Sequence, residues 1–271
     1  MPTDLAAECR DLVQMYPAAG GAVLALGGVA ARFPTGSTTV VIGPSGAGKS
    51  TFLRLVACLE RPAAGEVWVD GRATTMLRAR ARRRIATRRI GYVFQRPADN
   101  LLEYLGVRAH LVLALRMRGE HGAAADRLLA AAGLAGVADR RVSSLSAGEQ
   151  QRLAFAMAVA GDPSLVVADE PTAELDPDAT AALVASLPAY ADAGQTFLIS
   201  SHDPAVIEVA DQLLVIRRGT LAARAARAGE EPLAVIDDAG RVQLPDDAVD
   251  LFPDRRVRLS VVDGRVRIDE P

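Results

Sequence analysis

Nine consecutive residues carry the clearest chemistry. Gly43, Ser45, Gly46, Ala47, Gly48, Lys49, Ser50 and Thr51, with Pro44 between, follow the β-branched run Thr38–Ile42 and precede the apolar-periodic stretch Phe52–Val56. Strand, glycine-rich loop and helix in that order are the context in which G-x-x-x-x-G-K-[ST] binds phosphate. Gly43, Gly46 and Gly48 let successive N–H groups converge on an anion with no Cβ in the way. The helix start adds the positive end of its dipole. The Lys49 ammonium suits β- and γ-phosphates, and the Ser50 hydroxyl suits Mg2+. Lys49 is the only lysine, and the other thirty basic residues are arginine. A planar guanidinium fork is too wide for such a nest, which explains why this position alone keeps lysine.

A second apolar run, Ser164–Ala168, ends in Asp169 and Glu170. A buried parallel strand delivers carboxylates to its C-terminal edge, where α/β sheets hold ligands. Asp169 is expected to hold Mg2+ through water, and Glu170 to act as general base toward an attacking water. Ser146 stands three residues before Glu149, the spacing of a capping box. Two readings stay open there: a capped helix only, or a helix start whose Ser146 hydroxyl and Gly148 N–H face a phosphate.

Together these segments resemble the nucleotide-binding subunit of ABC transporters, with matching motifs from residue 12 to about 220. Gly43–Thr51 is similar to Walker A, Leu165–Glu170 to Walker B and Leu145–Arg152 to the signature. One signature glycine is replaced by Ala147, and Glu149 stands for the usual glutamine. The resemblance implies that Gln95, in Ile90–Gln95, touches Mg2+ and the lytic water. It makes Ala173–Asp176 the D-loop, with Asp176 in the catalytic set, and His202 the switch histidine after Phe197–Ser201. Tyr16, 27 positions before Gly43, falls where the family keeps an adenine-stacking aromatic; a turn tyrosine before Pro17 is the other reading. ATP and Mg2+ are then the cofactors. The partners are a second copy, in a dimer that sandwiches nucleotide, and a transmembrane permease, with the chain peripheral on the cytoplasmic face of the membrane. The flanking segments resemble the lipoprotein-release and macrolide-export branch. A soluble or regulatory ABC-type ATPase, signalling through its C-terminal appendage, is the alternative.

The elements that must position these groups predict an α/β fold. Its parts are a P-loop core, an antiparallel β subdomain from residues 1–42 and 64–72, and a helical subdomain over about 96–162. Helices are expected over Arg108–Arg118, Ala123–Ala132 and Gly148–Ala160, and the nucleotide-binding domain spans 1–220. Residues 221–271 read as a linker, Leu221–Glu231, and a small β-rich appendage resembling swapped-hairpin regulators. That appendage includes a short helix candidate, Asp246–Leu251, and a hairpin turning at Asp263 and Gly264. The length of 271 residues fits one large domain with such an appendage. Thirty-one basic against thirty-three acidic residues leave a net charge of −2, so no nucleic acid partner is expected. Cys9 and Cys58 have no metal-ligand spacing and read as buried thiols. The start Met1–Asp4 has no basic segment before an apolar one, and no apolar run reaches the ~20 residues of a membrane span. Seven arginines crowd residues 78–89, read as a solvated helix face, as a surface for anions such as lipid headgroups or, ranked last because no aromatics are interleaved, as a nucleic-acid contact.

Overall fold

The computed structural model describes residues 5–18, 20–226, 233–236, 242, 244, 251–252, 257–262 and 265–269. Met1–Asp4, residues 227–231, positions 246–250 of the helix candidate, and Asp263 with Gly264 lie outside them.

Two long strands open the chain, β1 (Leu5–Ala18) and β2 (Gly21–Pro34), paired antiparallel as expected. Their register shifts between Cys9 and Leu12, where Asp11 takes a φ of 47°, and the bulge re-aims the apolar side chains. β3 (Thr38–Ile42) leads into the phosphate loop and α1 (Lys49–Val56). β4 (Ala64–Val69) and β5 (Arg72–Ala73) complete a sheet of order β2-β1-β4-β5. The arginine run forms α2 (Ala79–Arg89), which buries no residue, and β6 (Ile90–Val93) follows.

The helical subdomain contains α3 (Val107–Arg118), α4 (Ala125–Ala131) and α5 (Ala147–Val159), close to the expected spans. It has its own core, in which Leu111, Leu115, Leu129, Leu134 and Leu153 are buried. Burying a leucine is worth roughly 1.5–3 kcal/mol. Arg118 ties this subdomain to the central sheet by donating to Met157, Ala158, Ala160 and Ile90 carbonyls. Three of these bonds satisfy carbonyls at the end of α5, which has no basic residue of its own in its last turn. Burial pulls the Arg118 pKa down to about 10.

The chain continues through β7 (Leu165–Asp169), α6 (Pro177–Asp192), β8 (Thr196–Ser200), α7 (Pro204–Glu208), β9 (Gln212–Arg217) and β10 (Thr220–Ala225). With β11 (Leu233–Ala234), these build a second sheet of order β11-β10-β9-β3-β8-β7-β6. Strands β6, β7, β8, β3 and β9 are parallel, and β10 and β11 add antiparallel edges.

The linker expectation is corrected here. Leu221–Ala225 lies in strand β10, with Leu221, Ala222 and Ala225 buried. Its Ala/Arg composition imitates a linker because small apolar residues face the core while Arg224 reaches the Ala30 carbonyl. The boundary at 220 therefore cuts a strand. Beyond it, Val235 packs against the core of the main domain. β12 (Arg258–Val262) and β13 (Arg265–Asp269) pair as the expected hairpin.

Candidate active site

Register places the functional segments together. Val41 pairs with Ser200, Asp169 with Ser200, Val93 with Ala168, and Ile42 with Val215. Because these pairings are parallel, β3, β6, β7 and β8 all end at one edge. The loop from Gly43, the segment at Gln95, the Asp169–Glu170 pair and His202 leave the sheet there side by side, as an open α/β sheet requires of a ligand site.

The loop is shaped by backbone geometry. Gly43 has φ of 151°, and a Cβ there would lie 2.0 Å from the Ile216 carbonyl oxygen; Gly48 has φ of 102°, and its Cβ would lie 2.5 Å from that of Ala25. Only glycine lets the loop sit that close to β2 and β9. Nothing lies within 4 Å of a Cβ built at Gly46, so the loop's open side has room for an anion. Gly219 N–H, in the β9–β10 turn, donates to the Ala47 carbonyl at 2.9 Å, and Gly27 N–H donates to Gly219 O at 2.8 Å. Ala47 is buried, and its N–H closes the turn to Pro44 O. Ser45 and Gly46 stay exposed.

Lys49 Nζ donates to the carbonyls of Gly43 at 2.6 Å and Pro44 at 3.1 Å, using two of its three donors to arch over the loop. α1 starts at Lys49 with Gly48 as N-cap and no side-chain cap. Its first N–H groups, from Lys49, Ser50 and Thr51, therefore suit an external anion.

At the neighbouring strand ends, Asp169 is buried and accepts from Ser200 Oγ at 2.5 Å. The Glu170 N–H donates to Ser200 O at 3.0 Å and Oγ at 3.1 Å. Ser200 thus fixes both acidic residues with one side chain. Glu170 itself has φ of 49°, a conformation costing a non-glycine residue of order 1 kcal/mol or more. That backbone aims its carboxylate at His202, whose Nε2 lies 3.5 Å from Glu170 Oε1. Gln151, buried on α5, donates to the Pro171 carbonyl at 2.9 Å and so holds the turn after Glu170.

Gln95 is exposed beyond β6. Asn100 folds the segment around it, accepting from Phe94 N–H at 2.8 Å and donating to Tyr92 O at 2.7 Å. Tyr16 sits beside α1: its hydroxyl donates to Glu60 Oε2 at 2.5 Å, and Arg54 lies 3.7 Å from the other Glu60 oxygen. Burial and the Glu60 contact both raise the Tyr16 pKa, while hydrogen bonding with Thr51 and Gln14 lowers it. Tyr16 is therefore a strand residue with an anchored phenol, and its neighbour is the loop's helix.

Ser146, Gly148 and Asp176 meet one another's elements and not the loop. Ser146 Oγ accepts from Glu149 N–H at 3.2 Å, and the Glu149 carboxylate accepts from Ser146 N–H at 2.8 Å, a complete capping box. The Ser146 N–H bond, chiefly, holds the Glu149 carboxyl below its usual range. Gly148 faces Glu174 and Leu175. Asp176 caps α6 by accepting from Ala179 N–H at 2.8 Å. Sequence reasoning missed Ser200, Gln151 and Glu60. The polar Ser200 closing an apolar strand, two residues before His202, was the available signal.

The oxygen donors of Ser50, Asp169 and Gln95 fit Mg2+, a hard cation that keeps water and phosphate oxygens as its other ligands. Among the described residues no cluster of three or more His, Cys, Asp or Glu could hold a metal alone. A hollow of about 900 Å3 lies elsewhere, lined by residues including Glu8, Asp70, Arg89 and Gln195; Arg89 and Gln195 precede the strands whose far ends carry the site.

A family model described as ABC transporter matches residues 26–173. The methionine import ATP-binding protein MetN of Symbiobacterium thermophilum is 37% identical over 218 residues, 78% of this chain and 65% of that protein. The chain thus spans a little under two thirds of that relative. The lipoprotein-releasing system ATP-binding protein LolD of Hyphomonas neptunium is 36% identical over 219 residues, 79% of this chain and 95% of that protein. Among solved structures, a dimeric post-hydrolysis state of the ATP-binding cassette MJ0796, bound to ADP and Pi, matches with a TM-score of 0.77 and 28% identity. It covers 83% of this chain and 100% of that one.

Proposed function

The chain belongs to the ABC transporter family, and from that premise we propose that it binds and hydrolyses ATP to drive a transmembrane permease from the cytoplasmic face of the membrane. The observation that carries this reading is the shared sheet edge. A phosphate loop with an uncapped helix start, a buried Asp169 and a Glu170–His202 pair 3.5 Å apart all open there.

The triphosphate lies along the N–H groups of Gly46–Thr51, with the Lys49 ammonium against its β- and γ-oxygens. Ser50, Gln95 and Asp169 hold Mg2+, which supplies neutralising charge on the phosphates when bound. Glu170 accepts a proton from water directed at the γ-phosphorus. His202 stays beside Glu170 and orients that water through its ring. Tyr16 presents its ring face to the adenine. Ser146 and Gly148 complete the pocket from a second copy, because in their own chain they sit with the D-loop. The MJ0796 cassette, described as dimeric, supports that arrangement. Hydrolysis removes the γ-phosphate contacts joining the two copies, and their separation moves the permease.

Extrusion of a lipoprotein, lipid or drug is the finer reading, supported by the lipoprotein-releasing relative that the chain matches over 95% of its length. Methionine import is the second, favoured by the 37% identity to MetN. Co-purification with the membrane partner, followed by transport in vesicles of known sidedness, separates them. The core test is Glu170→Gln: it should bind ATP, accumulate as an ATP-dependent dimer and lose at least ~100-fold in turnover. Parental hydrolysis by that variant removes Glu170 from its role.

A further inference from the structure

Helix α2 is electrostatically ill-suited to stand alone in water. Its first turn has no acidic residue to meet the helix dipole, and its N-cap Arg78 makes no side-chain cap. Arg80 and Arg84, then Arg84 and Arg88, stand four residues apart, the spacing at which like charges repel along a helix. Among the described residues only Arg89 of this helix finds an acidic partner, Asp70 at 2.5 Å, and Arg80, Arg83, Arg84 and Arg88 have none. These four, with Thr87 and Met117 of α3, line a shallow hollow of about 400 Å3. Ile85 and Ala86 turn inward onto the core, so the inner face is settled and the outer face is guanidinium. In a chain of net charge −2, seven of the thirty-one basic residues fall within residues 78–89.

We propose that the outer face of α2 docks on the anionic phospholipid headgroups of a membrane surface. Guanidinium forks pair with phosphate oxygens two at a time, and their weak hydration lowers the cost of leaving water. A lipid surface supplies a flat, mobile array of phosphates and needs no shape complement. A protein partner fits less well, since the buried centre of a specific protein interface is largely apolar and well packed, and the only apolar contribution to this shallow hollow is Met117. Nucleic acid fits less well again, because residues 78–89 contain no aromatic to stack on bases. No helix among the described residues is long and apolar enough to cross a bilayer, so contact through α2 is peripheral. Each arginine near such a surface strengthens partitioning roughly five-fold.

The test is flotation of the purified full chain with vesicles of phosphatidylcholine alone or mixed equally with phosphatidylglycerol. The chain should float only with the mixed vesicles and be released near ~1 M NaCl, where screening acts within ~3 Å. The quadruple variant Arg80→Gln, Arg83→Gln, Arg84→Gln, Arg88→Gln should bind them at least ~100-fold more weakly, while its thermal midpoint stays level or rises as the repulsion is relieved. Equal flotation with both vesicle types, unchanged flotation of the variant, or tighter binding to duplex DNA or an acidic peptide than to the mixed vesicles overturns the proposal. It goes beyond ATP hydrolysis: an inactive ATPase retained by anionic vesicles would sink the preceding reading and leave this one standing.

Discussion

Single side chains in this site act mostly by holding others. Ser200 donates to Asp169 and accepts from Glu170 N–H, so one hydroxyl ties the Asp169 carboxylate to the backbone of Glu170. Glu60 plays a similar part for Tyr16. Its carboxylate takes the phenol hydroxyl, which fixes the direction of the ring's long axis; the proposed stacking on adenine would use the ring face. Removing this acceptor loosens the phenol, which keeps Thr51 and Gln14 as neighbours, and leaves the loop glycines and Lys49 in place. Glu60→Ala should therefore raise KM for ATP about two- to ten-fold with little change in kcat, the worth of one hydrogen bond. Glu60→Gln, whose amide oxygen still accepts, should restore most of the loss. Steady-state kinetics of the two variants beside the parent decide it, and an unmoved KM in Glu60→Ala removes Glu60 from the nucleobase end.

At the scale of elements, the segment from Gln95 to α3 depends on a histidine. His110 is buried; its Nε2 accepts from Leu102 N–H at 2.9 Å, so its proton sits on Nδ1, which faces Gly106 O at 2.9 Å. A second proton would put N–H against N–H. Burial, chiefly, holds the pKa below the ordinary 6.5. The unfolded chain then takes up this proton first as pH falls. The stabilisation is complete above 6.5 and is lost as pH drops toward the folded value, at up to ~1.4 kcal/mol per pH unit. Urea midpoints between pH 7.5 and 5 should slope less in His110→Gln than in the parent, and equal slopes would exclude His110 as the source. This bridge was not legible in the sequence, where His110 is an unremarked residue of a helix. The phosphate loop, β7 and the capping box were legible because each is written in contiguous residues: a glycine pattern, an apolar run, a fixed spacing of three. β10 was not, because Leu221–Ala225 is decided by its partner β9 and by burial. Ser200, Gln151 and Glu60 escaped for the same reason, since their bonds span 31, 20 and 44 residues.

For the whole molecule, the phosphate loop and the segment of Ser146 and Gly148 are braced by different elements of one chain. Gly43–Thr51 is braced by β2 and the β9–β10 turn, whereas Ser146 and Gly148 are braced by α5 and the D-loop. A closed two-fold dimer would bring each loop to the other copy's signature, giving two identical composite sites. Complementation tests this directly. A Lys49→Ala chain lacks a working loop, and a Ser146→Arg chain lacks a working signature, so each alone should be inactive as a homodimer. In an equal mixture half the dimers are mixed, and each mixed dimer pairs one intact loop with one intact signature. Turnover should then return to roughly a quarter of the parental rate if the two sites fire independently. Each variant binds one half of the nucleotide contacts correctly, so folding is not in question if both elute as the parent does. Recovery requires the pocket to be shared. Mixed dimers that form, verified with differently tagged chains, and yet stay silent would show that loop and signature do not meet across the interface.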